Sequence, residues 1–337
     1  MRADLFLVEH GFATTRSQAQ RLIASGVQWR AEVDGPWKRV AKNGDEVLDS
    51  AEMQVLDNTE AKFISRGGLK LEGALESTGF DVSGLRCLDI GQSTGGFTDC
   101  LLQQGATQVV GVDVGHGQLH ATMRSDPRVV CIEGVNARAL TADDLIAHYV
   151  RAKLVSDGDD RFDDFDGDYA DMAGDFEPVF DFLTGDLSFI SLTLVLPAVV
   201  RLLKVDGHLL MLVKPQFELQ PGQIGKGGIV REPALFAFVE NRLRESCAAL
   251  GLDVLAWLES PIAGGDGNRE FFIHAKKGSA MVDESLPLAA APPRKAVKRT
   301  PRSEQRALHA AHEDSEEAHA GQHGPARSKR RVKPEQD

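Results

Sequence analysis

The chain has 337 residues, 42% of them hydrophobic, and a formal net charge of −12. That length allows two or three domains and at least one large core. Taken whole, the charge disfavours a nucleic-acid binder. It is uneven, however: Asp157 to Asp181 holds eleven acidic residues and one arginine, about −10, so the rest of the chain is nearly neutral and its partner stays open. Four scattered cysteines without C-x-x-C spacing predict neither a metal site nor a disulfide framework. The opening MRADLFLVEHGF has no signal-peptide core, and no run reaches the ~20 apolar residues of a membrane span. The expectation is a soluble cytoplasmic protein with no metal and no membrane partner.

Residues 1–60 read as a small separate α+β unit. ADLFLVEHG carries apolar residues at helical spacing and stops at Gly11. TTRSQAQRLIASG opens with Thr14 and Thr15 as candidate N-caps and closes at Gly26. VQWRAEVDGPWKRV follows as a hairpin around Asp34-Gly35. Arg16, Gln20 and Arg21 fall close together on the second helix, either as a contact surface for a partner or as an ordinary solvated face.

Residues 61–277 alternate strands and helices. RCLDIG is a strand, GGFTDCLLQQGA a helix ending at Gly105, and QVVGVDVG and RVVCIEGVN are strands. VFDFLTGDLSFIS contains a fourth strand, GHLLMLVKP a fifth and REFFIHAKK a late one. The alternation predicts an α/β fold with a Rossmann-like parallel sheet and crossover helices. Residues 157–180 have no apolar period and dense negative charge, and read as a disordered insertion. Residues 278–337 are rich in Pro, Ala, Lys and Arg and read as a disordered tail, inert in the plainer reading, with loose contact of its basic patches to nucleic acid as the alternative.

LDIGQSTGGFTD is a strand, a glycine-rich turn and a helix start. Gly91, Gly95 and Gly96 let backbone approach a ligand closely. No Gly-Lys-Ser/Thr follows, so this is no Walker loop, and the G-x-G-x-x-G of dinucleotide folds is missing. Asp113 closes the next strand, where an acid suits a ribose diol. Asn136, after the third strand, is placed to meet an adenine edge. A ribose carboxylate without a pyrophosphate cradle fits S-adenosylmethionine better than NAD. The predicted cofactor set is therefore Asp89, Gly91, Ser93, Gly95, Gly96, Asp113 and Asn136.

Substrate chemistry belongs beyond the carboxyl ends of the strands. Asp186 lies near the end of the fourth, and the fifth delivers Lys214 before Pro215 stops it. Glu270 opens the late strand, and Lys70 sits on a helix before the first. Neither the Asn/Asp-Pro-Pro-Tyr of base-amine methylation nor a Pro-Cys pair for pyrimidine carbons is present, which leaves an oxygen acceptor. Two lysines and two acids at one rim suit methyl transfer to a ribose 2′-hydroxyl. A lysine beside a second cation can take the hydroxyl proton, and the acids hold the lysines in place. A rim of structural salt bridges is the alternative.

These stretches, with RADLFLVEHGFATTRSQAQRLIASG, FISRGGLKLEGAL, VVGVDVGHGQL, DLSFISL, LVKPQFE, GKGGIVREP and GNREFF, resemble the TlyA family of hemolysin-named ribosomal RNA 2′-O-methyltransferases. The resemblance covers roughly residues 1–277 apart from the acidic insertion. It implies an N-terminal RNA-binding domain of the ribosomal-protein S-four type over residues 1–60, and an FtsJ-like catalytic domain over 61–277. It also implies a Lys-Asp-Lys-Glu tetrad, here Lys70, Asp186, Lys214 and Glu270, a cytidine acceptor, and ribosomal RNA or ribosomal subunits as partner. Gln92 departs from the small residue usual in the glycine turn. Two other readings are an RNA-binding protein on a non-catalytic methyltransferase fold and a membrane-lytic hemolysin. The second needs an amphipathic or spanning segment that the sequence does not show.

Overall fold

The computed structural model describes residues 1–56, 62–156, 174 and 176–279, with residues 152–156 as backbone only. The expected tail, apart from Gly278 and Ser279, and most of the expected insertion lie outside the described residues.

The N-terminal unit has helices α1 (Ala3–Glu9) and α2 (Arg16–Gly26) against a three-stranded sheet. Thr15 caps α2, its hydroxyl accepting from the Gln18 N–H, and so removes one orphan donor of the first turn. The expected hairpin is β1 (Val27–Arg30) with β2 (Lys38–Arg39), Gln28 opposite Arg39. A third strand, β3 (Glu52–Val55), pairs with the other edge of β1. It was not legible in the sequence because its four residues carry little pattern of their own. Phe6, Leu7, Leu22, Ile23 and Val27 are buried between the layers.

The larger unit runs α3 (Gly67–Thr78), β4 (Arg86–Ile90), α4 (Gly96–Gln103), β5 (Gln108–Asp113), α5 (Ala121–Arg124), β6 (Val129–Glu133) and α6 (Ala142–Ser156). It continues through β7 (Phe180–Gly185), α7 (Leu192–Val199), β8 (Leu203–Val213), α8 (Pro215–Glu218), α9 (Pro233–Ala249), β9 (Leu252–Glu259) and β10 (Phe271–Lys277). The sheet order is β6-β5-β4-β7-β8-β10-β9. Strands β4 to β8 are parallel, and β10 runs antiparallel to both of its neighbours. Successive side chains feed opposite faces, which is why these strands read as continuous apolar runs. Leu88, Ile90, Leu209 and Met211 face α7 and α9, whereas Cys87, Phe182, Leu210 and Leu212 face α3 and α4. The strand order reverses between β4 and β7, so the carboxyl ends of those strands part and open a crevice.

Two sequence expectations need correction. Strand β9 was missed, because LDVLAWLE alternates only weakly and lies half exposed at the sheet edge. The insertion was expected to end at residue 180, but ordered packing begins by Phe176. That ring is buried and stacks on Tyr149 at 4.1 Å, while the Arg86 guanidinium donates to the Glu177 and Val179 carbonyls. An apolar side chain with a core socket overrides the acidic composition around it. No helix among the described residues is long and apolar enough to cross a membrane.

One half-buried polar pair has a pH signature. His208 on β8 and His274 on β10 share a hydrogen bond, Nδ1 to Nε2, of 2.9 Å, with Phe80 stacked on His208 at 4.3 Å. Burial pushes both imidazoles below the usual range, His274 to about 4. The folded value lies below the unfolded one, so the stabilisation is complete above about 6.5 and is lost as pH falls toward 4. The midpoint of urea unfolding is expected to fall between pH 7 and pH 5, and to fall less in His274→Gln. An equal fall in the variant would assign the effect to other groups.

Candidate active site

A cavity of about 660 Å³ opens at the carboxyl ends of β4, β5, β7 and β8. Its floor is the glycine turn after β4. Gly91 has φ +83°, and a Cβ there would come within 2.9 Å of the Asp186 carbonyl oxygen, so only glycine fits. Gly95, at φ +95°, is the N-cap of α4 and turns the chain into that helix. Ser93, Gly96, Asp113 and Asn136 line the same cavity. Asp113 binds both lips of its wall, accepting from the Ser93 N–H and the Gly115 N–H at 2.7 Å each. Asn136 caps the turn after β6, its Oδ1 accepting from the Arg138 N–H at 3.0 Å.

Asp89 belongs to a different layer. It is wholly buried beneath the turn and does not line the cavity. Its Oδ2 accepts from Thr98 Oγ1 at 2.7 Å, and Thr98 Oγ1 in turn accepts from Gln92 Nε2 at 2.9 Å. Burial pushes the Asp89 carboxyl up to about 7, against the Thr98 hydrogen bond. The unusual Gln92 is accommodated because Gly111 on β5 leaves space for it: a Cβ at Gly111 would lie 2.0 Å from the Gln92 amide. The sequence placed Asp89 in the cofactor set; its geometry makes it a support for the turn.

Four charged side chains meet at the rim, in two ion pairs. Lys70, from α3, donates to Glu270 at 2.6 Å, and this pair is buried. Lys214, at the end of β8, pairs with Asp186 at the end of β7 and also donates to Ser188 Oγ at 2.9 Å. Burial pushes the Glu270 carboxyl up, Lys70 and then Lys214 oppose this, and Asp186 adds to it, so all four groups share one field. Lys214 and Asp186 lie on the cavity wall. Pro215 occupies the first position of α8, where its missing N–H costs nothing, so β8 stops with Lys214 at the rim.

Sequence reasoning missed the supports of this rim. Ser188 and Phe189 sit in the DLSFIS segment after Asp186. Phe189 has φ +64°, is 89% exposed, and lies on the cavity wall with its ring 5.0 Å from Phe217. Buried Glu218 accepts from Ser191 Oγ at 2.5 Å and from the Leu192 N–H at 2.7 Å, tying that segment to α8. Behind Lys214, Gln216 donates to Asp266 at 3.1 Å. Residues 62–66 are strapped to α4, Asp99 accepting from the Ile64 N–H at 2.8 Å and Gln103 donating to the Lys62 carbonyl at 3.1 Å. The predicted N-terminal set does not reach the cavity. Arg16 and Gln20 both touch Asp4.

A glycine turn after the first sheet strand, an acid after the second, a polar side chain after the third and this strand order define a class I methyltransferase. Residues 63–277 match the FtsJ-like methyltransferase family. The chain is 38% identical over 272 residues to the 16S/23S rRNA (cytidine-2′-O)-methyltransferase TlyA of Mycobacterium tuberculosis, covering 81% of this chain and 88% of that protein. It is 34% identical to Hemolysin A of Brachyspira hyodysenteriae over 81% of this chain and 99% of that one. A hemolysin-named solved structure from Streptococcus thermophilus shares 32% identity with a TM-score of 0.56, over 95% of this chain and 98% of that chain. The chain belongs to the TlyA group of FtsJ-like methyltransferases, and its cofactor is S-adenosylmethionine.

Proposed function

We propose that the protein methylates the 2′-hydroxyl of a ribose, that of a cytidine, in ribosomal RNA within the cytoplasm. The observation that carries this reading is the Lys214–Asp186 pair on the wall of the cavity that Gly91, Asp113 and Asn136 line, with the buried Lys70–Glu270 pair sharing its field from behind. The Mycobacterium tuberculosis relative is named for methylating cytidine 2′-oxygens of 16S and 23S rRNA.

S-adenosylmethionine supplies a methyl group on a sulfonium. The chain has the parts to hold it. Asp113 would accept from the ribose hydroxyls, Asn136 would meet the adenine, and the glycine turn, braced from below by Asp89, would pass beneath the remainder. At the rim, Lys214 takes or directs the proton of the attacking hydroxyl, and Asp186 and Ser188 fix its amine. The Lys70–Glu270 pair sets the charge balance behind it. Residues 1–60 form the RNA-binding domain, of the ribosomal-protein S-four type, with Arg16, Gln20 and Arg21 on its RNA-facing helix. The partner is a ribosomal subunit or its RNA.

Mapping 2′-O-methyl groups in ribosomal RNA from cells with and without the protein tests the reading. A cytidine site present only with the active protein is the expected result; identical maps would refute it. For the cofactor set, Asp113→Ala should weaken S-adenosylmethionine binding by about 1–3 kcal/mol in calorimetry, since the hydroxyls lose a charged acceptor. Unchanged affinity would remove Asp113 from the site.

A further inference from the structure

The N-terminal unit contains a charge where an RNA-binding unit has least use for one. Asp4 is acidic and completely inaccessible, on the first turn of α1. Arg2 grips it with a fork, Nε to Oδ1 at 2.9 Å and Nη2 to Oδ2 at 3.0 Å. Arg16, at the start of α2, donates from Nη2 to Oδ2 at 3.0 Å, and Gln20 Nε2 stands 3.5 Å from the same oxygen. The two arginine side chains stay about half exposed, 48% and 55%, while the Asp4 side chain they share shows no surface at all. Arg2 precedes α1 and Arg16 opens α2, and one buried acid brings them to one place.

The backbone around this cluster is also fixed. Asp4 N–H donates to the Asn43 carbonyl at 3.1 Å, Ala3 N–H to the Asp45 carbonyl at 2.8 Å, and Arg2 forms a bridge to Glu46. Burial would raise the Asp4 carboxyl, but the arginines outweigh it and hold it far below the usual carboxylate range. Each guanidinium has five N–H donors in a rigid plane. Arg2 spends two on Asp4 and Arg16 one, so both keep donors for an outside acceptor. The solvent-facing result is a pair of immobilised cations with the counter-charge hidden beneath.

We propose that Asp4 is a positioning residue: it sets Arg2 and Arg16 as the two arms of a phosphate-binding site for the RNA backbone. The proposal rests on the reading of residues 1–60 as the RNA-binding part. Two orientations of guanidinium are frozen before the ligand arrives, so binding does not have to immobilise them. Bidentate recognition of phosphate by arginine depends on this planarity as much as on charge.

Charge counting and positioning predict opposite signs for one substitution. Asp4→Asn removes a negative charge beside the site. If only net charge matters, RNA binding tightens and its salt dependence steepens. If Asp4 positions the arginines, binding weakens, by about tenfold for two side chains that must now be ordered on binding. Arg2→Lys is the second variant. It keeps the charge and an exposed site but cannot form the fork, so it should also weaken binding severalfold. A plain charge reading expects no change.

The test measures binding of the full-length protein to unmethylated 16S and 23S rRNA transcripts at several salt concentrations. Thermal unfolding and S-adenosylmethionine affinity are recorded for every variant. Arg2→Ala and Arg16→Ala serve as references. The expected outcome is weaker binding in all four variants with S-adenosylmethionine affinity unchanged. If the arginine-to-alanine variants bind as the wild type does, the RNA-binding reading of this unit fails, and the proposal with it. If they weaken while Asp4→Asn and Arg2→Lys bind equally well or better, the arginines act by charge alone and only the proposal is overturned. Should Asp4→Asn unfold the unit, Arg2→Lys decides between the same two results.

Discussion

Lys214→Ala is expected to abolish methyl transfer to ribosomal RNA while leaving S-adenosylmethionine and RNA affinities nearly unchanged. The ε-amine is the group that β8 delivers to the cavity wall, held by Asp186 and by Ser188 Oγ at 2.9 Å. Removing a positioned proton-transfer group costs ~10²–10⁴-fold, and the loss should be at least of that order. Lys214→Arg should not restore the rate, because a guanidinium cannot give up its proton near neutral pH. Single-turnover kinetics at saturating cofactor and RNA provide the check. A variant that keeps more than about a tenth of the wild-type rate falls well short of that loss, and makes Lys214 a structural residue.

Lys70 lies deeper, and its loss should be felt in folding as well as in chemistry. Lys70 and Glu270 have side-chain exposures of only 10% and 3%, so Lys70→Met leaves a carboxylate buried without its cation. Breaking one side of a buried pair costs about 3–5 kcal/mol, whereas replacing both sides by neutral groups costs far less. Unfolding in urea should therefore show a large loss in Lys70→Met and a substantial recovery in Lys70→Met with Glu270→Gln. Methyl transfer should be lost in the single variant and stay lost in the double, because the shared field at Lys214 and Asp186 is gone in both. Recovery of the rate along with stability would make the pair a fold element only.

The same contrast runs through the whole molecule. The glycine turn, Asp113, Asn136, Asp186 and Lys214 were legible in the sequence because each sits where a strand ends. Strand ends are marked locally, by apolar runs that stop at glycine, a charge or proline. Thr15 and the Asp34-Gly35 hairpin were legible for the same reason, as caps and turns involve neighbours in the chain. What the sequence by itself determined was thus the order of the elements and which side chains their ends present. Only the tertiary structure decided which lysine pairs with which acid and which pair faces the cavity. Lys70 and Glu270 are 200 residues apart, and they meet because β10 inserts antiparallel between β8 and β9. It also decided that Asp89 supports the turn from below, that Phe176 is core despite its acidic neighbourhood, and that Asp4 holds one arginine from before α1 and one from the start of α2. Burial and charge pairing are properties of the space around a residue. That space is filled by segments far away in the chain, and their pairing leaves no local mark.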